Sequence, residues 1–270
     1  MNIFKFEFRR GLKTMVYWTV STVSIIAMFM ALFPSMSGMK DIISTEINSI
    51  PPALLEALNF SEAVDFSNIF DYSAYCFQYI AMAFAMYGGI LGVSSLIREE
   101  GEGTIEFLYS KPVSREKILW SKVFSSTILF LIYSVFVSLT TILMSMVVKN
   151  EGIEISELLR NMGNIFLGIT LLGYIFMAIG VIISSALKKE KGATSMIVGL
   201  FFSTYIIGIA SKLKESLDWM KYISPYEWVV PANIIKDGIE GKFIIIGVVI
   251  IIISLLIANY VYKKKDLNIN

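Results

Sequence analysis

Residues 98–122 read REEGEGTIEFLYSKPVSREKILWSK and carry ten charged side chains in 25 positions. The flanking runs, 72–97 and 123–148, carry none, and neither do 14–39, 161–187, 192–211 and 243–262. Crossing about 30 Å of hydrocarbon at about 1.5 Å per residue takes about 20 residues, so each of these six runs is long enough to span once. The pattern predicts an all-α integral membrane protein, a single transmembrane domain over 1–270 with spans near 15–34, 72–97, 123–148, 163–187, 192–211 and 243–262. The charged stretch is then the loop between spans 2 and 3.

Composition points the same way. The chain is 56% hydrophobic and 17% charged, with a mean hydropathy of +0.69. Six buried core helices of this length would leave too little polar chain to solvate them. Basic residues precede the first run as in a signal peptide, but its apolar stretch is longer than the usual 7 to 15 residues and no clear A-x-A-like site follows, so it reads as a span. The single cysteine, Cys76, rules out an internal disulfide and reads as a packing residue. Histidine is absent, which removes the usual general base and the commonest metal ligand.

Little chemistry remains for an embedded enzyme. No HExxH or GxSxG occurs and no aspartate lies in a span. Coupled carriers and voltage sensors commonly place ionisable groups within their spans, where charge is costly, and all six runs lack them. Gly88-x-x-x-Gly92 allows close helix approach, either between subunits or within one. Met36-x-x-Met39, with Met28 and Met30, has the softness that suits Cu(I), but fourteen methionines in so apolar a chain read as lipid-facing and gap-filling.

Lysine and arginine in short loops set orientation. With six spans, 15 of the 23 basic residues fall on the side of the N-terminal arm, the 98–122 loop, the 188–191 turn and the C-terminal tail. Both termini are therefore expected in the cytoplasm. The arm MNIFKFEFRRGLK places Phe4, Phe8 and Leu12 at helical spacing beside Lys5, Arg9 and Lys13, as an interfacial helix would. Outside, Pro51-Pro52 followed by ALLEAL suggests a turn and a short helix. The last outer loop, SLDWMKYISPYEWVVPANIIKDGIEGKF, holds Trp219, Tyr222, Tyr226 and Trp228 for the headgroup level, while Pro225, Pro231 and Gly238 break helix. It predicts a re-entrant pair of short helices before span 6.

Within the opening stretch, Gly101 and Gly103 end the second span. Thr104 is placed to cap a short helix that Pro112 terminates, and Ser114 is placed to cap the next. The short helix carries Ile105, Phe107, Leu108 and Tyr109, more apolar surface than one lipid-facing side accommodates, which suggests a protein partner.

The stretch resembles the segment between spans 2 and 3 of type-2 ATP-binding cassette exporter permeases. Their R-E-x-E-x-G-T-x-E-x-L-x-S-x-P-x-S-R-x-x-I-x-x-K-like pattern falls here on Arg98, Glu99, Gly103, Thr104, Glu106, Leu108, Ser110, Pro112, Ser114, Arg115, Ile118 and Lys122. Six spans, inward termini, the basic arm and the loop around KYISPYEW are similar as well. The resemblance implies that 104–109 is a coupling helix docking on a separate ATPase, with Glu99, Glu106 and Arg115 as polar anchors and Thr104, Ile105, Phe107, Leu108 and Tyr109 in the contact. It implies an outer gate at Trp219, Tyr222, Pro225, Tyr226 and Trp228. The chain has no G-x-x-x-x-G-K-[ST] loop, so ATP and Mg would sit on the partner and the chain is no enzyme by itself. The partners so implied are two ATPase copies, a second permease of the same or a related kind, and the bilayer of a bacterial plasma membrane, with no nucleic acid. The other readings are a non-pumping sensor or immunity protein that binds a peptide or lipid, and a secondary carrier or channel. Cargo identity is not encoded in any motif.

Overall fold

The computed structural model describes residues 3–39, 50, 51, 55, 65–103, 113–187 and 189–265. Among these, all regular structure is helical: α1 (Ile3–Gly38), α2 (Ile69–Gly101), α3 (Arg115–Val148), α4 (Ile155–Ala186), α5 (Ala193–Leu213), α6 (Pro231–Asp237) and α7 (Gly241–Lys264). Two 3-10 segments, Glu215–Tyr222 and Glu227–Val229, join α5 to α6. All of the α-helices but α6 are long and apolar enough to cross a membrane, so the chain is a multi-pass membrane protein.

Helix ends follow local chemistry. The Asn68 side chain accepts a hydrogen bond from the Phe70 amide at the start of α2, and Ser114 accepts one from Lys117 at the start of α3, as its position before the helix predicts. Helix α2 stops at Gly101, and Gly103 then takes a φ of 67°, a conformation that side-chain-bearing residues rarely adopt. Pro231 opens α6 at a position where no amide hydrogen is needed.

The expected interfacial arm is helical, but it does not stand apart from span 1. Helix α1 runs unbroken for 36 residues, about 54 Å at the usual rise, so its first turns project beyond the hydrocarbon. Gly11, the weakest helix former in the arm, is held against α3, where an added Cβ would lie 2.3 Å from Leu129. Phe4 also packs on Phe124 of α3, with ring centroids 5.8 Å apart. In the last outer loop the expected pair of short helices is three pieces, the two 3-10 segments and α6. Proline supplies no amide hydrogen at 225 or 231, and each interrupts a helical run. Of the short helix expected after Pro51-Pro52, Leu55 donates its amide hydrogen to the Pro51 carbonyl at 3.2 Å; the rest of that segment lies outside the described residues.

Helices α2 and α4 form the centre, with 67% of the apolar window of each buried inside the chain against 17–33% for the other four spans. Backbone meets backbone there. A Cβ on Gly88 would lie 2.2 Å from the Gly173 carbonyl oxygen, one on Gly92 would lie 2.0 Å from that of Met177, and one on Gly180 would lie 2.6 Å from that of Gly89. The Gly88-x-x-x-Gly92 spacing thus serves packing within the subunit. The Ser184 hydroxyl of α4 adds polar contact, lying 3.0 Å from the amides of both Leu96 and Ile97. Around this pair, Thr22 of α1 and Tyr133 of α3 share a buried hydrogen bond of 3.0 Å, and α7 lies on α4 through Gly247, beside Leu171 and Ile175.

Candidate functional site

Two places gather polar chemistry, one at each end of the bundle. At the basic end, the N-terminal arm, the end of α2, the start of α3, the turn before α5 and the tail of α7 converge. Arg10 pairs with Glu102, Gly101 abuts Glu190, and Arg115 donates to the backbone carbonyls of Lys263 and Lys265 at 3.0 and 2.6 Å. The four basic segments that the topology assigns to one side therefore do share one end.

Lys122 is the centre of this cluster. Its side chain is only 2% exposed, its ammonium lies 3.2 Å from Glu7 of α1, and it is paired with Glu99 of α2. Arg10 stands 3.8 Å from the same Glu99. Lys265 and Glu100 form a second pair, both 6% exposed, which fixes the α7 tail to α2. Lys263 pairs with Glu116 at the surface. Each buried charge has an opposite partner, the condition under which burial of an ion is tolerated.

Of the residues expected to meet an ATPase, Glu99 and Arg115 are thus engaged inside the chain. Glu99 braces α2 against α1 and α3, and Arg115 holds the tail. Thr104, Ile105, Glu106, Phe107, Leu108 and Tyr109 lie outside the described residues. The braced ends of α2 and α3, at Gly101 and Arg115, lie on either side of them in the chain. Sequence reasoning missed Glu7, Arg10, Glu100 and Lys265 as members of this cluster. The available signal was Glu7, the one acidic residue before Asp41 in an otherwise basic arm.

At the opposite end, the five aromatic-loop residues divide. Trp219 and Tyr222 are exposed, while Pro225, Tyr226 and Trp228 are buried. Tyr226 stands edge-on to Tyr205 of α5 at 4.9 Å, and its hydroxyl donates to the Gln78 carbonyl of α2 at 3.4 Å. Burial, with Tyr205 and Glu227 nearby, pushes the Tyr226 phenol well above its ordinary pKa, so it stays neutral. The Trp228 indole stacks on Phe243 of α7 at 5.6 Å and donates to the Lys221 carbonyl at 2.9 Å. Val229 and Ile234 press on α4 at Gly168. Beside them, a cavity of about 730 Å³ opens between the end of α5, the 3-10 segments, α6 and the start of α7. Among the described residues, no group of acidic or cysteine side chains could hold a metal ion.

The sequence model of a family described as "ABC-2 family transporter protein" matches residues 1–267. A similar curated protein is "Probable ABC transporter permease protein NosY" of Stutzerimonas stutzeri, 24% identical over 170 residues. That match takes in 59% of this chain and 60% of the relative's own length.

Proposed function

The chain belongs to the ABC-2 family of transporter proteins, and on that premise we propose that it is the membrane permease subunit of an ATP-driven exporter. Two six-span subunits, this one twice or this one with a related permease, enclose the pathway in a bacterial plasma membrane, with both termini in the cytoplasm. Two separate ATPases bind ATP and Mg, and each meets a permease at 104–109.

One observation carries the mechanical part of the reading. The helix that leads into 104–109, α2, is locked to α4 by backbone contact, and at the far end the same two helices carry the outer loop through Gln78 and Gly168. Gln78 lies 23 residues before Gly101, about 35 Å along the helix. Glycine-to-carbonyl contacts leave no room for the two helices to slide independently. A push on the coupling segment therefore moves α2 and α4 as one body and displaces the loop at the other end, a rigid-body transition of the kind that packed elements allow. The Glu7–Lys122–Glu99 cluster makes α1 and α3 follow. The chain itself binds the cargo and shapes its path, while ATP hydrolysis on the partner supplies the energy.

The test is ATP turnover. The purified chain alone should hydrolyse no ATP, since it has no phosphate-cradling loop, and adding its ATPase should give turnover at that subunit's rate. Robust hydrolysis by a preparation free of other subunits rejects this reading.

A further inference from the structure

The first turns of α1 leave the hydrocarbon on the axis of the span itself, because α1 is one unbroken helix. Lys13 is the last charge before the charge-free run 14–39, and Arg9 and Lys5 follow it outward at steps of about 6 Å. The polar headgroup layer is about 5–8 Å deep on each side of the hydrocarbon, so the three residues form a ladder across it. At 3.6 residues per turn they occupy about an 80° arc of the helix, and Val16 and Val20 continue the same arc into the membrane. All five are exposed, the two valines by 49% and 59%. A lipid lying along this face meets apolar surface with its chains and basic side chains with its headgroup.

The other charges of the arm are turned away from this face. Glu7, the arm's one acidic residue, lies on the opposite side of the helix, 14% exposed, with its carboxylate 3.2 Å from the Lys122 ammonium of α3. Arg10 pairs with Glu102. At the same end of the bundle Glu99 holds Lys122, Glu100 holds Lys265, Glu116 holds Lys263, and Glu190 lies against Gly101. Arg9 and Lys13 form no ion pair among the described residues. The Lys13 ammonium stands 5.8 Å from the ring of Tyr17, itself 62% exposed, an aromatic of the kind found at the headgroup level. With Glu7 drawn into the bundle, the outward face of the arm carries cations alone.

We propose that this face of α1 binds an anionic phospholipid of the surrounding leaflet, with the headgroup phosphate between Arg9 and Lys13 and the acyl chains along Val16 and Val20. Four residues apart, Arg9 and Lys13 are neighbours on the helix surface, about 6 Å from each other. Arg9 offers a planar fork of donors that matches phosphate oxygens, and Lys13 a compact charge beside it. A basic residue at the membrane surface contributes about fivefold to association with an anionic lipid, so the two together contribute about 25-fold. The lipid holds the arm from the side away from Glu7 and Lys122, and so fixes the depth of α1. The face belongs to one helix of one subunit, so the proposal does not depend on the ATPase reading.

The test places a fluorophore on Val16→Cys in the full chain, reconstituted in phosphatidylcholine nanodiscs; the native Cys76 is buried and stays unlabelled. Quenching by chain-spin-labelled phosphatidylglycerol is compared with quenching by the same probe on phosphatidylcholine, whose headgroup has no net charge. Phosphatidylglycerol is expected to associate at this face about tenfold more tightly or better. Arg9→Gln/Lys13→Gln, at two exposed positions that leave the Glu7–Lys122 contact intact, should bring that preference to about twofold or less. Lys214→Gln/Lys236→Gln, which removes the same charge from exposed positions at the other end, should keep the parental preference. A parental preference below about twofold, or one that survives in the Arg9→Gln/Lys13→Gln chain, overturns the proposal. Absence of quenching by either lipid would put another protein on this face and overturns it as well.

Discussion

The ammonium of Lys122 on α3 is buried against the carboxylate of Glu99 on α2, with Glu7 of α1 3.2 Å from the same nitrogen. Three helices that approach the proposed coupling segment are thereby joined through one side chain. Removing that charge leaves the Glu7 and Glu99 carboxylates without their shared ammonium, and breaking a buried ion pair from one side costs about 3–5 kcal/mol. Lys122→Met should therefore lower the unfolding temperature in detergent markedly. Arg10→Ala should have a far smaller effect, since that side chain is 22% exposed and such pairs are worth at most about 1 kcal/mol. Equal shifts in the two variants would show that Lys122 is not the brace.

The α2–α4 contact makes a sharp contrast among glycines. At Gly92 even a methyl group meets the Met177 carbonyl, whereas at Gly163 of α4 and Gly199 of α5 an added Cβ meets nothing within 4 Å. Gly92→Ala should reduce the yield of monodisperse protein, because backbone has to move to admit it. Gly163→Ala and Gly199→Ala should be neutral or stabilising by up to about 1 kcal/mol, the usual helix gain over glycine. Size-exclusion profiles after a heat step separate the two outcomes, and a tolerant Gly92→Ala would mean that α2 and α4 do not touch as described.

Much of this fold could be read from the charge-free runs, because lipid demands about 20 apolar residues and forbids unpaired backbone, so span number follows from composition alone. Ser114, Gly103 and Pro231 act where local chemistry says they should. What sequence could not give is partnership across distance. Nothing local pairs Lys122 with Glu7, 115 residues earlier, or Lys265 with Glu100, 165 residues earlier. The spacing of Gly88 and Gly92 was readable, but not whether a second subunit or α4 would fill it. The outer cavity was hidden for the same reason. Its lysines and Glu227 lie in the segment read as a re-entrant pair of short helices, and nothing local shows that α5, α6 and α7 bring them around one space.

Orientation has a direct test. With 15 of the 23 basic residues on the side of the termini, a cysteine at Ser110 should react with an impermeant thiol reagent only from the cytosolic face. One at Asn59 should react only from outside. The native Cys76 is 3% exposed and should stay silent in both experiments. Labelling with reversed sidedness would invert the proposed arrangement and place 104–109 out of reach of any ATPase.

The central claim is that 104–109 docks on a separate ATPase, and Phe107→Asp addresses it most directly. The substitution lies between spans and changes none of the charge-free runs, so expression and topology should persist. A carboxylate placed in a dry contact costs several kcal/mol, whereas Lys117→Ala, a change on the exposed start of α3, should be mild. The measurement is the amount of P-loop ATPase subunit, and of MgATP hydrolysis, that purifies with the tagged full chain from its native membrane. The account predicts stoichiometric ATPase with the parent and with Lys117→Ala, and its loss with Phe107→Asp. A Phe107→Asp chain that retains parental ATPase and turnover, or a parent that purifies without any, would contradict it and favour a non-pumping sensor.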